Sequence, residues 1–129
     1  MAHRPSSIAN LAVGADLVEI ARIADMVVRY GARFTERVFT PGELADCRGR
    51  AASLAARWAA KEAVAKALGT GIGRVGFCDI EVMRDGAGRP TLMLHGAAAV
   101  LAEELGLRRW TVSLAHDGGL ALAFVVATS

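Results

Sequence analysis

The spacing of apolar positions changes along the chain, and each change marks an element. From Asn10 to Val18 the run NLAVGADLV predicts a first strand, with Gly14 allowing a close backbone approach. From Glu19 to Tyr30 the period becomes helical: Ile20, Ile23, Ala24, Val27 and Tyr30 fall on one face, and Gly31 fits the position just past a helix end. Thr40-Pro41-Gly42-Glu43 reads as a helix start, with a threonine cap, proline at the first helical position and glutamate placed for a capping box; this short helix ends before Gly49. Ala51 to Leu68 carries the strongest helical signal, being rich in Ala and Leu and without Gly or Pro until Gly69.

Beyond that helix, Phe77 to Arg84 reads as a strand, Asp85-Gly86-Ala87-Gly88 as a turn and Arg89 to Leu94 as the returning strand. Gly96 to Leu105 predicts a further helix, closed by Gly106. Trp110 to His116 and Leu120 to Ala127 form a terminal hairpin about Asp117-Gly118-Gly119. Strands joined by short turns imply antiparallel pairing. The expected class is α+β, a small antiparallel sheet packed on the long Ala-rich helix, and not a doubly wound α/β sheet. Residues 1–10 are expected to be a flexible polar tail, in which His3 has no ligand role, and 11–129 a single domain.

Composition narrows the function classes. Apolar residues make up 53% of the 129 and aromatics 5%, so the core must be built largely from Ala, Val, Leu and Ile. The formal net charge of +2, the scarcity of aromatics and the lack of a reading motif argue against nucleic acid as a partner. No run is apolar for long enough to span a bilayer, and the first residues lack the apolar core of a signal peptide. Cys47 and Cys78 are far apart with no metal-ligand spacing, so free thiols and a cytoplasmic location are expected.

Two carboxylates stand in apolar surroundings: Asp16 near the end of the first strand and Glu62 in the middle of the Ala-rich helix. A carboxylate so placed is costly unless a cation compensates it. Mg²⁺ suits such a pair, because it takes one or two protein carboxylates and completes its octahedron with water and phosphate oxygens. Taken alone, Glu62 reads better as a surface pair with Lys66, four residues on. Arg57 and Lys61 are likewise one turn apart, and by themselves these cations read as a solvated face. Gly69-Thr70-Gly71-Ile72-Gly73 is a loop whose amides could cradle an anion, although a plain helix C-cap is the simpler reading. His116 sits at a strand end beside a turn. Arg22, Met26, Arg29 and Arg33 recur as a stripe opposite the apolar face of the first helix, a pattern suited to an acidic partner helix.

Together these segments resemble one family. VGADLVEIARI is similar to its opening motif and ARWAAKEAVAKALGTGIG, almost without interruption, to its second. FTERVFTPGE, DIEVMRDGAGRPTLMLHG and VSLAHDGGLALAFVV resemble its remaining segments, so that the resemblance runs from about Leu11 to Val126. The family is the short bacterial type of 4′-phosphopantetheinyl transferase, holo-acyl-carrier-protein synthase. Ala15 and Ala115 depart from its pattern, the second where a hydroxyl residue often precedes the histidine. The resemblance implies the transferase-like fold, a homotrimer with active sites between subunits, and transfer of phosphopantetheine from coenzyme A to a serine of apo acyl carrier protein with release of 3′,5′-ADP. It implies Asp16 and Glu62 as magnesium ligands, acting with Lys66 in catalysis. Arg57, Lys61, Lys66, Gly69, Thr70, Gly71 and His116 fall to coenzyme A, and Arg22, Met26, Arg29 and Arg33 to the carrier protein. The competing reading is a non-catalytic docking protein for acidic carrier-like partners, which leaves Asp16 and Glu62 without a role.

Overall fold

A computed structural model describes residues 10–129, so His3 and nearly all of the expected tail lie outside the described residues. The elements run β1 (Leu11–Glu19), α1 (Ile20–Tyr30), α2 (Ala32–Val38), α3 (Pro41–Cys47), α4 (Ala51–Ala67), β2 (Ile80–Arg84), β3 (Pro90–Leu94), α5 (Gly96–Glu104), β4 (Arg109–Asp117) and β5 (Leu120–Thr128). All strand pairs are antiparallel. They form a three-stranded sheet in the order β1-β5-β4 and a separate β2-β3 hairpin. The α+β expectation holds, with two sheets in place of one.

The long helix is the centre of the core. Residues 54–57, 59–61 and 63–65 of α4 are all buried, and Ala55, Ala59, Ala60, Ala63 and Ala65 are fully enclosed. Alanine on this scale lets the sheet lie close to the helix axis. The core face of the sheet is correspondingly small-chained: Gly14 and Val18 on β1, and Ala121, Ala123, Val125 and Ala127 on β5. Gly14 is the closest approach, since a Cβ there would lie 1.9 Å from the Ala63 carbonyl oxygen.

The expected caps form. Gly31 ends α1, its N–H bonding to the Val27 carbonyl. Thr40 and Glu43 make the reciprocal capping box of α3. One element was not predicted, and two expectations fail. The segment Ala32–Val38 is a helix, α2, which restarts directly after Gly31 and buries Phe34 and Val38. The expected strand from Phe77 begins as a 3₁₀ turn, Phe77–Asp79, because Asp79 turns back to accept from the Gly76 N–H. Tyr30 is exposed, whereas Met26, assigned to the opposite face of α1, packs against the core beside Ile20, Ile23 and Val27, so the buried face is shifted from the one the spacing selected. Cys47 and Cys78 are free thiols, as expected.

Candidate active site

Strand alternation decides where Asp16 points. Gly14, Asp16 and Val18 share the face of β1 that meets α4, so the close pass of Gly14 over Ala63 brings Asp16 alongside the next turn of the helix. There the Lys66 ammonium donates to Asp16 Oδ1 at 2.9 Å and to the Ala15 carbonyl at 3.0 Å. Trp58, Glu62 and Lys66 follow one another at four-residue steps along one stripe of α4. The pair suggested by spacing, Glu62 with Lys66 along the helix surface, is thus replaced by an ion pair across two elements.

Glu62 is half-buried, and its carboxyl is held above the ordinary range first by burial and then by the charge of Asp16. Lys66 and Arg22 act in the opposite direction. Two carboxylates therefore crowd one spot, with Lys66 supplying part of the compensating charge. Among the described residues no group of three or more His, Cys, Asp or Glu is gathered for a metal. Two carboxylates fall short of a protein-built coordination sphere, but they are a sufficient protein share for a hard cation that draws its other oxygens from phosphate and water.

The neighbouring features surround this pair. The Arg22 guanidinium lies over the Trp58 ring, 5.6 Å from its centroid. Trp58 in turn packs on Phe77 at 4.7 Å and on Phe34 at 5.9 Å. These rings, with Met26, Tyr30, Val38, Arg33 and Arg37, wall an apolar cavity of about 420 Å³ between α1, α2 and α4. Arg33 belongs to α2 and reaches this cavity, while Arg29 pairs with Asp25 at 3.2 Å on the exposed side of α1. The four members of the sequence stripe do not form a single row: α1 stops before Arg33.

Next to Lys66, at the C-terminal end of α4, the Ala65 carbonyl accepts from both Thr70 and Gly71 N–H groups. Gly69, Gly71 and Gly73 all have positive φ, which only glycine takes without strain. His116 is exposed on β4. It pairs with Ala121 across from Val18, one row beyond the row of Leu114, Ala123 and Asp16, so its side chain stands on the same face of the sheet as Asp16.

Two further cations of α4 stand differently from Lys66. Arg57 and Lys61 occupy the adjacent stripe of α4 and turn into the interior. Arg57 is 1% exposed, and its Nη2 donates to Asp46, which also takes Arg84 at 3.1 Å. Lys61 is 0% exposed, bonded to Glu43 Oε1 at 2.7 Å, to the Phe77 carbonyl at 3.0 Å and to the Ile80 carbonyl. Within the single chain α3 and β2 cover that stripe. In the sequence Glu43 signals only a cap, and no spacing rule points from it to Lys61.

The model of the 4′-phosphopantetheinyl transferase superfamily matches residues 12–125, nearly all of the described chain. The chain belongs to that superfamily. Among phosphopantetheinyl transferases a curated relative, holo-[acyl-carrier-protein] synthase of Herpetosiphon aurantiacus, is 54% identical over 123 residues, covering 90% of this chain and 97% of the relative. The crystal structure of Helicobacter pylori holo-[acyl-carrier-protein] synthase in complex with coenzyme A superposes with a TM-score of 0.82 at 34% identity, over 89% of this chain and 98% of that one. A Bacillus anthracis holo-(acyl-carrier-protein) synthase, solved in complex with CoA (3′,5′-ADP), gives 0.78 at 34% identity over 95% and 99%. The matched span of the phosphopantetheinyl transferase model holds every residue assigned above to the site, from Asp16 to His116. Among the described residues no helix is long and apolar enough to cross a membrane.

Proposed function

We infer that the chain is a holo-[acyl-carrier-protein] synthase, which moves 4′-phosphopantetheine from coenzyme A to a serine of apo acyl carrier protein. The observation that carries the reading is the meeting of Asp16, Glu62 and Lys66 beside a glycine loop in a chain more than half identical to a synthase of that name. In the reaction the serine oxygen bonds to the β-phosphorus of coenzyme A, the bridging P–O bond breaks, 3′,5′-ADP departs and the serine proton is released. The chain needs no nucleophile of its own. Its task is to position the reactants and neutralise charge, and these two effects govern the rate of phosphoryl transfer.

Asp16 and Glu62 would hold a magnesium ion, whose charge on the diphosphate oxygens favours departure of the nucleotide. Their crowding supports this, since burial and then the charge of Asp16 raise the cost of charging Glu62 until a cation arrives. Lys66 adds a positive charge beside the same oxygens. The Gly69–Gly73 loop and the His116 imidazole would line the nucleotide end of coenzyme A, although most of the loop amides already donate to carbonyls of the chain itself. Arg22, Met26, Arg29 and Arg33 form the carrier-facing surface, in which the cations attract an acidic helix and the apolar cavity takes a side chain from it.

A homotrimer is supported by the outer face of the sheet. Leu11, Val13 and Leu17 on β1 with Leu120, Leu122 and Phe124 on β5 form a contiguous apolar surface that the chain itself leaves uncovered. A soluble monomer seldom exposes such a patch, and a second and third copy of the same face would bury it. Mass spectrometry of apo acyl carrier protein after incubation with the chain, coenzyme A and Mg²⁺ tests the function. A gain of one phosphopantetheine arm is expected, and an unchanged carrier mass with binding intact would favour the docking-protein reading.

A further inference from the structure

The interior holds a charged pair that the proposed chemistry does not use. The Lys61 ammonium carries three protons, and all three are spoken for: by Glu43 on α3, the Phe77 carbonyl in the 3₁₀ turn and the Ile80 carbonyl at the start of β2. The Glu43 carboxylate accepts in addition from the Thr40 and Val82 N–H groups. Burial pulls the Lys61 ammonium below its ordinary range, and Glu43 works against that shift. As a source of stability such a pair is poor, because an apolar pair of similar volume would serve as well or better. What Lys61 does that an apolar residue cannot is bind two separate carbonyls of the 77–80 segment to the middle of α4.

That segment is the far anchor of the glycine loop. The near anchor is α4 itself, where the Ala65 carbonyl takes the Thr70 and Gly71 N–H groups. Between the anchors Gly69, Gly71 and Gly73 have positive φ, and the space where each would carry a Cβ is open, so neighbouring side chains do not brace them. Besides the short Ile72–Val75 bridge, the Gly73 N–H to the Val75 carbonyl and the Val75 side chain buried in the core with Ile72 packed against it, the loop's course depends on where its two ends are fixed.

We propose that Lys61 is a positioning residue for coenzyme A, fixing the far end of the Gly69–Gly76 loop through the Phe77 and Ile80 carbonyls. This rests on the reading of that loop as part of the coenzyme A site. Releasing the anchor leaves the loop to be ordered by the ligand, so the loss falls on binding and not on the chemical step. The Phe77 ring, stacked on Trp58, remains as a lateral contact and keeps the segment near its place.

Lys61→Met tests it, together with Lys61→Met/Glu43→Gln, which avoids a lone buried carboxylate and keeps an acceptor for Val82. Coenzyme A KM is expected to rise about tenfold with kcat changed less than about twofold. Amide exchange should quicken from 70 to 80 and stay unchanged in α4. Gly71→Ala, strained at φ 78, serves as the probe of the loop itself. If Gly71→Ala raises coenzyme A KM and the folded Lys61 variants do not, the positioning role is wrong and the loop assignment stands. If Gly71→Ala leaves coenzyme A KM unchanged, the loop assignment is what fails. A fall in kcat matching the rise in KM, with exchange faster throughout the chain, would make Lys61 a general stabilising residue and overturn the proposal.

Discussion

Gly14 and Ala63 are in backbone contact: a side chain on Gly14 would have to occupy the position of the Ala63 carbonyl oxygen. The contact sets the separation of β1 and α4, and with it the meeting of Asp16 with Glu62 and Lys66. A methyl group at Gly14 must push strand and helix apart. Gly14→Ala is expected to cost about 3 kcal/mol of stability and to remove transfer activity even where the chain folds. Urea unfolding with a parallel transfer assay checks this; an unaltered midpoint would show that the close packing is not as described.

Asp16→Asn and Glu62→Gln are expected to lower transfer on the order of a hundredfold while the fold persists, because each removes half of the carboxylate pair. For Glu62 the effect on stability has a definite sign. Burial, then Asp16, raises its folded-state value, so the native chain holds that proton more tightly than the unfolded chain. The resulting stability is complete below the ordinary carboxylate value and is lost as pH rises through the raised one. Glu62→Gln should flatten the melting profile over that window and melt no lower than the parent at neutral pH.

Glu81 behaves in the reverse sense. The Thr40 hydroxyl donates to its Oε2 at 2.6 Å and His95 pairs with its Oε1 at 3.0 Å. Thr40 first and His95 second hold its carboxyl below the ordinary range. That stability is present above the ordinary value and lost as pH falls through the lowered one. Thr40→Val removes this bond and the α3 cap together, with an expected cost of about 1 to 2 kcal/mol at neutral pH and a shallower acid-side loss. Thermal melts across the acid range measure both.

Arg33 stands at the apolar cavity, on the surface assigned to the carrier protein. Arg33→Glu is expected to raise the carrier KM about tenfold and to leave the coenzyme A KM unchanged. The parent's carrier KM should also rise with ionic strength. Equal changes in both constants would place Arg33 outside the docking face.

Phe124 lies on the uncovered apolar face of the sheet. Phe124→Lys should dissociate the assembly to monomers in sedimentation while leaving the monomer folded, since that side chain packs on nothing within its own chain's core. A parent chain that sediments as a monomer would refute the trimer outright.

Neighbouring residues express some features of this fold and not others. The capping box of Thr40 and Glu43, the stop at Gly31 and the unbroken Ala-rich helix are legible in the sequence because their physics is local. The restart of a helix at Ala32 is not, because its stability comes from burying Phe34 and Val38 against other elements. Glu62 and Lys66 are legible as chemistry only through the two motifs taken together; along the helix alone they look like a routine surface pair.

The sequence by itself determined the α+β class and the boundaries of most elements, because periodicity, caps and a nearly continuous motif are one-dimensional signals. Only the tertiary structure decided which cations face outward. Arg57 and Lys61 lie on the same helix as Lys66, and nothing in their spacing separates them. Asp46 and Glu43, brought in from α3, draw those two inward, whereas Asp16 on β1 holds Lys66 at the surface. A helix carries all its side chains at equal intervals, and it is the elements packed around it that give each stripe its partner.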